Sequence, residues 1–310
     1  MHPSIIGKRS LTWGERTYVM GILNLTPDSF SGDGLFVPPS PSPLPEDEEP
    51  GMREARRFLA TGVDILDIGG ESTRPDSQPV DTKEELRRVL PTVRAILAEF
   101  PDALISIDTY KAAVAEEVLK AGASIVNDVW GLTADPEMAR VIARYQAAVV
   151  LMHNRSNSHP PNSGGRQTST RPANVEVRER LGKAYPGAEY QNLLEDVKRE
   201  LLESVDIARS AGIPDEYIIL DPGIGFGKTV EQNLELINRL DEIRVLGFPV
   251  LLGPSRKSFI GYTLNLPPDQ RLDGTAASVA IGIARGADIV RVHDVEPMLR
   301  VARMTDAIVR

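Results

Sequence analysis

Residues 217–228 read Tyr217-Ile218-Ile219-Leu220-Asp221-Pro222-Gly223-Ile224-Gly225-Phe226-Gly227-Lys228. A short apolar run, typical of a β-strand covered on both faces, ends here in a carboxylate and a glycine-rich turn. Other apolar runs in the chain are followed by polar groups in the same way. Parallel α/β enzymes collect their chemistry at the carboxyl ends of such strands. The stretch therefore favours an α/β enzyme.

Strand-like and helix-like segments alternate eight times along the chain. The strand candidates are residues 18–23, 65–68, 104–107, 124–127, 148–152, 217–220, 249–252 and 289–292. Amphipathic helices lie between them, and the clearest is predicted to begin at Thr82, where Thr82 and Glu85 match a capping box. Eight such units predict a (β/α)8 barrel that forms a single domain over residues 1–310. An open doubly wound sheet is the alternative.

Two polar stretches interrupt this alternation. Residues 36–51 are rich in proline and contain an acidic run, whereas residues 154–186 are polar and carry more basic than acidic side chains. Each follows a predicted strand, the first and the fifth, so both are expected on the catalytic face of the barrel. Loops of this length are usually lids or disordered segments.

The composition excludes several classes of protein. The chain of 310 residues contains no cysteine, which rules out disulfides and thiolate chemistry and fits a reducing compartment. A formal charge of −9 argues against nucleic acid or an anionic membrane surface as a partner. The sequence begins without a secretory signal and has no apolar run of about 20 residues, the length that spans a bilayer. We therefore expect a cytoplasmic protein.

Polar groups follow every predicted strand at the same end. In chain order they are Asn24, Glu71 to Arg74, Asp108, Asn127, His153, Asp221, Ser255 to Lys257, and Arg291 with His293. Cations at three of these ends suggest an anionic ligand, because the planar guanidinium of arginine suits phosphate oxygens. The alternative is that individual cations pair with nearby acids such as Asp294. Asp108, Asn127 and Asp221 form a second group, which could clamp a flat heterocycle with N–H donors, or else cap the following helices.

Several better-known motifs are incomplete. Gly227-Lys228-Thr229 resembles the end of a P-loop, but the first glycine of that motif falls on Pro222. The glycines at 223, 225 and 227 do not have dinucleotide-binding spacing. The four histidines are not spaced like a zinc site, and His153 is interpreted as a core histidine. No Gly-x-Ser-x-Gly elbow occurs.

Taken together, these runs resemble the dihydropteroate synthase family of the folate pathway. The resemblance covers nearly the whole chain from Tyr18 and rests on residues 20–31, 67–75, 107–111, 127–128, 221–228, 255–258 and 291–295. It implies a (β/α)8 barrel, commonly a homodimer. It also implies that para-aminobenzoate is joined to 6-hydroxymethyl-7,8-dihydropterin pyrophosphate with Mg2+, without a covalent enzyme intermediate.

The resemblance also implies roles for individual residues. Asn24 would meet Mg2+ and pyrophosphate, while Arg291 and His293 hold pyrophosphate oxygens and Thr73 and Arg74 order that end of the site. The pterin pocket would be lined by Asp108, Asn127, Asp221 and Lys257. Para-aminobenzoate would be surrounded by Phe30, Pro75, Phe226 and Ser255. The residues expected to act in catalysis are Asp108, Lys257, Arg291 and His293.

Two other functions remain open on the sequence. A pterin-dependent methyltransferase acting with a corrinoid protein shares the barrel and an Asp/Asn pterin pocket, but it does not need the cations at 255–257 and 291–293. A pterin-binding paralogue without catalysis is the second. It stays open because the first loop, Ser31-Gly32-Asp33-Gly34, departs from the family pattern, in which the acid directly follows the serine.

Overall fold

Eight parallel strands surround the core of the protein. The computed structural model describes residues 2–26, 51–72, 79–156 and 187–310. The strands of the parallel sheet are β3 (Tyr18–Asn24), β4 (Ile65–Gly69), β5 (Leu104–Asp108), β6 (Ile125–Asp128), β7 (Ala148–Met152), β8 (Ile218–Asp221), β9 (Leu251–Leu252) and β10 (Ile289–Val292). All eight predicted strands are present, with ends that differ by no more than two residues.

The sheet closes on itself. The strands follow each other in the order β8-β7-β6-β5-β4-β3-β10-β9, and a parallel bridge between Leu220 and Val250 joins β8 to the segment leading into β9. An open doubly wound sheet has no such closing contact. The (β/α)8 barrel is therefore confirmed.

Helices pack around the barrel and cover its outer surface. They are α1 (Met52–Thr61), α2 (Thr82–Glu99), α3 (Ala112–Lys120), α4 (Met138–Tyr145), α5 (Leu193–Ser210), α6 (Val230–Asn238), α7 (Asp241–Arg244), α8 (Ser258–Leu264), α9 (Leu272–Ala284) and α10 (Val295–Val309). Short 3-10 turns lie at Asp215–Tyr217 and Pro268–Gln270. Because helices cover the outer face of the strands, the strands read as continuous apolar runs rather than alternating ones.

The start of α2 corrects the predicted capping box. Asp81, not Thr82, is the N-cap: its side chain accepts a hydrogen bond from the backbone N–H of Glu84 at 2.7 Å. The side chain of Glu85 instead pairs with Lys111. Aspartate and threonine both favour the N-cap position, and in this helix Asp81 occupies it, one residue before the predicted Thr82. The predicted apolar face is confirmed, since Val89, Val93 and Ile96 are buried.

The amino end of the barrel is closed by a hairpin that the sequence analysis did not identify. Strands β1 (Ser4–Ile6) and β2 (Arg9–Leu11) pair in antiparallel fashion. Ile6, Leu11 and Trp13 pack against inward-facing side chains of the barrel strands, including Met20 and Ile65. The hairpin therefore fills this end of the barrel interior with apolar side chains.

Parts of the sequence interpretation lie outside the described residues. This holds for both predicted insertions, except for Gly51 and residues 154–156. The single domain over residues 1–310, with insertions at 36–51 and 154–186, stays a prediction. None of the helices in the described ranges is long and apolar enough to cross a membrane.

Candidate active site

The strand register brings the predicted polar residues into one row. Asn24 pairs with Gly69, Gly69 with Asp108, and Asp108 with Asn127, across four neighbouring strands. Gly69 contributes no side chain to this row, and a Cβ there would lie 3.5 Å from Oδ1 of Asn24 and 3.6 Å from Cβ of Asp108. Asn24 and Asp108 thus flank the same gap. Asp221 ends β8, where it pairs with Met152.

Arg291 connects two buried carboxylates at the centre of this end of the barrel. Its Nε donates to Oδ2 of Asp67 at 2.5 Å, and its Nη2 donates to Oδ2 of Asp108 at 2.6 Å. Burial alone would lower the pKa of Arg291, but the two carboxylates raise it above its usual value. The guanidinium therefore stays charged and is held in one orientation.

Asp67 is a site residue that the sequence interpretation did not single out. It is fully buried, and besides Arg291 its Oδ2 accepts a hydrogen bond from Nδ2 of Asn127 at 3.1 Å. Because Nδ2 donates to Asp67, Oδ1 of Asn127 is left as the group that can accept from a ligand. Asp67 follows Ile65 by two residues and so points, like it, into the barrel. The sequence signal that could have identified Asp67 is a carboxylate at an inward-facing position of an otherwise apolar strand.

Asp108 is strongly perturbed by its surroundings. Burial raises its pKa to about 7, although Arg291 opposes the shift and the neighbouring Asp67 adds to it. Its Oδ1 is buried and has no hydrogen-bond partner among the residues that the structure describes, and the same holds for Oδ1 of Asp67. A buried carboxylate oxygen without a donor is costly, so the site is suited to a ligand that brings N–H groups. Asp108 does not cap a helix, since its carboxylate is directed at Arg291.

Lys257 lies among the acidic side chains. Burial lowers the pKa of Lys257 to about 8. The carboxylates of Asp221 and Asp108 oppose this shift, whereas the charge of Arg291 adds to it. The ammonium donates to the carbonyl oxygen of Ile224 and lies 4.5 Å from the ring centroid of Phe226. Lys257 therefore joins the β9 loop to the turn after β8.

Asp221 belongs to the same electrostatic neighbourhood. Burial raises its pKa, and Lys257 and Arg291 both act against that shift. Its Oδ1 accepts a hydrogen bond from the backbone N–H of Gly223 at 2.7 Å. Asp221 therefore lies close enough to Lys257 and Arg291 for both cations to favour its ionised form.

Ser255 and His293 form a pair on the β9 and β10 loops. The hydroxyl oxygen of Ser255 accepts from the backbone N–H of His293 at 3.1 Å and lies 3.1 Å from its Nδ1. This contact orients the imidazole ring of His293. Next to it, Nε of Arg256 donates to Oδ2 of Asp294 at 2.9 Å. That ion pair bears out the alternative in which a cation pairs with Asp294.

Four predicted site residues, Phe30, Thr73, Arg74 and Pro75, lie outside the described residues. Their roles stay predictions. The described part of the chain contains no cluster of three or more His, Asp or Glu side chains suited to a metal ion. Mg2+ usually keeps several waters and is held by one or two protein oxygens together with substrate phosphates. The amide oxygen of Asn24 fits that limited role, and no all-protein metal site is needed.

We expect replacement of Asp67 by asparagine to destabilise the protein. The amide cannot compensate the charge of Arg291, and removing one partner of a buried ion pair costs about 3–5 kcal/mol. Urea unfolding of Asp67→Asn should show a loss of this order in the free energy of unfolding. Asp102→Asn is the matched control, because Asp102 pairs with Lys8 at the surface, where such pairs contribute about 0–1 kcal/mol. Equal effects of the two substitutions would contradict the role given to Asp67.

Comparison with known proteins identifies the family. The family model described as "Pterin binding enzyme" matches residues 20–293. The dihydropteroate synthase of Clostridium beijerinckii is 47% identical over 306 residues, which are 98% of this chain and 99% of that protein.

Solved structures of similar proteins indicate the same family. A dihydropteroate synthase structure from Clostridium difficile, determined in the presence of pteroic acid, is 46% identical with a TM-score of 0.80, covering 97% of this chain and 99% of the other. One from Xanthomonas albilineans with 4-aminobenzoic acid is 33% identical with a TM-score of 0.80, covering 99% and 97%. The chain therefore belongs to the pterin-binding enzyme family and, within it, to the dihydropteroate synthases, which are transferases of folate synthesis.

Proposed function

We propose that the protein condenses 6-hydroxymethyl-7,8-dihydropterin pyrophosphate with para-aminobenzoate to give 7,8-dihydropteroate and pyrophosphate, assisted by Mg2+. The observation that carries this proposal is the gathering of the Asp108–Arg291 ion pair with Asp221 and Lys257 at the carboxyl end of the barrel. A ligand with a donor-rich ring at one end and a diphosphate at the other matches these charges. The related structures with pteroic acid and 4-aminobenzoic acid support the same substrates.

The acidic part of the pocket would bind the pterin ring. Asp221 would accept hydrogen bonds from the amino-pyrimidine edge of the ring, and a carboxylate facing two N–H groups makes two parallel bonds. Oδ1 of Asn127 and Oδ1 of Asp108 are further acceptors, the latter buried and lacking a partner in the described part of the chain. The ammonium of Lys257 would donate to a ring acceptor. The aromatic ring of Phe226, together with Ser255, Phe30 and Pro75, would border the para-aminobenzoate.

The cationic part would bind the diphosphate. The oxygens of the diphosphate would be met by Arg291, His293 and the predicted Thr73 and Arg74. Asn24 would hold Mg2+ together with the diphosphate. When bound, the metal would supply positive charge that neutralises the leaving group. Donors already oriented toward that charge contribute most, because they need no reorganisation during the reaction. The orientation of Arg291 by Asp67 and Asp108 meets this condition.

The chemistry would be a substitution at the methylene carbon of the pterin. The C–O bond breaks and pyrophosphate leaves with the bonding electron pair. The positive charge left on the conjugated methylene is stabilised by the ionised Asp108. The amino nitrogen of para-aminobenzoate then forms the new C–N bond and loses a proton. No enzyme nucleophile takes part, in keeping with a chain that lacks cysteine.

We expect activity to fall in acid as Asp108 becomes protonated. The pKa of Asp108 is raised by burial to about 7, so its fraction of charged form decreases as the pH drops below that value. The quantity kcat/KM reports the ionisations of the free enzyme and should decrease about tenfold per pH unit below that pKa. Measuring kcat/KM between pH 5.5 and 8 tests this, with Asp108→Asn losing the acid limb along with most of the activity. A flat wild-type profile over that range would remove Asp108 from the reaction.

A pyrophosphate-release assay tests the proposed function. The synthase releases pyrophosphate only when Mg2+, the pterin substrate and para-aminobenzoate are all present. Pterin binding without any release would instead indicate a paralogue that has lost catalysis. Transfer of a methyl group to a corrinoid protein would indicate the methyltransferase.

We also propose a homodimer, located in the cytoplasm. Large apolar side chains are exposed on the neighbouring helices α9 and α10, among them Ile281 (49% exposed), Met304 (64%) and Ile308 (70%). A second copy of the chain could cover them, as exposed apolar groups in contiguous patches mark interaction sites. Sedimentation equilibrium should give about twice the chain mass of 33.9 kDa, whereas the mass of one chain would exclude the dimer. The cytoplasm is proposed because a chain without cysteine fits a reducing compartment.

A further inference from the structure

Lys228 is a buried lysine for which the proposed chemistry has no use. Its side chain is 2% exposed, and its ammonium donates to the carbonyl oxygens of Gly223 and Phe226, both at 3.0 Å. The third contact is to Nδ1 of His153 at 2.9 Å. An ammonium has three N–H donors, so all three are used within the protein. Burying a charged group is costly unless it is paired or hydrogen-bonded, and these three bonds offset part of that cost.

His153 and Glu200 lie directly behind Lys228. Because Nδ1 accepts from the ammonium, the proton of the neutral imidazole is assigned to Nε2, which lies 3.0 Å from Oε2 of Glu200. Burial lowers the pKa of His153 to about 4, and the charge of Lys228 acts in the same direction, so the ring stays neutral near pH 7. Arg155 holds Glu200 in turn, with its Nε 3.0 Å from Oε2. The four residues form a connected chain beneath the turn after β8.

The contacts of Lys228 determine the shape of that turn. Gly223, Gly225 and Gly227 have φ values of 70°, 85° and 66°, which glycine adopts freely, so the turn has little preference of its own. A Cβ at Gly223 would overlap the carbonyl oxygen of His153, which shows how closely the two segments approach. With the carbonyls of Gly223 and Phe226 directed at Lys228, the carbonyl of Ile224 faces the other way and accepts from Lys257.

We infer that Lys228, supported by His153 and Glu200, is a positioning residue for the transfer reaction. It holds the 223–227 turn so that the Ile224 carbonyl and the Phe226 ring place the ammonium of Lys257 in the pterin pocket, without touching the substrate itself. The inference deepens the proposed function and rests on it for the role of Lys257. A displacement of about 1 Å in a reacting or binding group can cost about 10²-fold in rate.

The first test replaces Lys228 by methionine, which keeps the length and buried volume of the side chain but has no donors. We expect kcat/KM to fall about 10²-fold and the affinity for 6-hydroxymethylpterin, measured by calorimetry, to fall with it. Lys120→Met is the control, because Lys120 is exposed on α3. Unchanged kcat/KM and pterin affinity in a folded Lys228→Met variant would overturn the inference.

A pair of substitutions at His153 separates positioning from packing. In His153→Asn, Oδ1 occupies the place of Nδ1 and can still accept from Lys228, whereas His153→Leu fills similar space without an acceptor. Positioning predicts that the asparagine variant stays within about threefold of wild-type kcat/KM while the leucine variant behaves like Lys228→Met. Equal losses in both variants, or a better leucine variant, would contradict it. The pair remains informative if Lys228→Met does not fold.

Measuring pterin affinity by calorimetry distinguishes failure of the proposed function from failure of the inference about Lys228. If the wild-type protein binds pterin but releases no pyrophosphate, the proposed function fails, and the comparison of His153→Asn with His153→Leu can still be made on pterin affinity. If release is normal and all variants bind and turn over like wild type, the inference about Lys228 fails alone.

Discussion

Replacement of Lys257 by alanine is expected to reduce turnover by about 10²–10³-fold, the loss typical when a group that stabilises charge in an active site is removed. The ammonium of Lys257 lies near Asp108, Asp221 and Arg291, and its charge lowers the pKa of Asp221, which burial raises. Without it, the pKa of Asp221 rises further, and a protonated Asp221 loses acceptor capacity for the pterin ring. The loss should therefore appear in both turnover and pterin affinity.

Steady-state pyrophosphate release at saturating para-aminobenzoate measures this effect. Lys120→Ala serves as the matched control, because its ammonium lies at the surface and its pair with Glu117 is exposed. Turnover of Lys257→Ala within threefold of the control would remove Lys257 from the site.

Replacement of Asp221 by asparagine is expected to weaken pterin binding by about 10²–10³-fold. Hydrogen bonds to a charged group contribute about 1.5–3 kcal/mol each, and a carboxylate facing two N–H groups loses the charge assistance of both when it becomes an amide. The substitution is conservative in shape, since the amide oxygen can still accept from the backbone N–H of Gly223. A change in affinity would therefore report the charge rather than a collapse of the turn.

Calorimetric titration with 6-hydroxymethylpterin measures the change. Asp215→Asn is the control, because Asp215 precedes the same strand but pairs with Arg209 at the surface, away from the carboxyl end of the barrel. If Asp221→Asn binds the pterin as tightly as Asp215→Asn does, Asp221 has no part in recognition.

The shared location of the polar groups at the strand ends could be predicted, because the carboxyl ends of parallel strands lie at the same end of the barrel. The positions of Asn24, Asp108 and Asn127 after apolar runs predict a common site, and the strand register places them in one row. Period-2 side-chain geometry and the closure of the barrel leave few other arrangements. The same rule could not foresee how Arg291 divides its donors between two carboxylates, because that depends on distances across the barrel.

Residues away from the strand ends were harder to recognise. Asp67 lies within an apolar strand and Lys228 follows a glycine-rich turn, so neither occupies the strand-end position that drew attention to the others. The hairpin of β1 and β2 escaped notice because strands of three residues carry almost no periodic signal. The predicted N-cap of α2 was wrong by one residue for a different reason, because Asp81 and Thr82 both favour the N-cap position.

The central claim is that acidic residues bind the pterin ring while cationic residues bind the diphosphate of the same ligand. The most direct test compares the binding of 6-hydroxymethyl-7,8-dihydropterin and of its pyrophosphate ester by calorimetry. Asp221→Asn should weaken the binding of both ligands, because both carry the ring. His293→Ala should weaken only the ester, because only the ester carries the diphosphate. Equal weakening of both ligands by His293→Ala, or loss of affinity for only one of them in Asp221→Asn, would contradict the account.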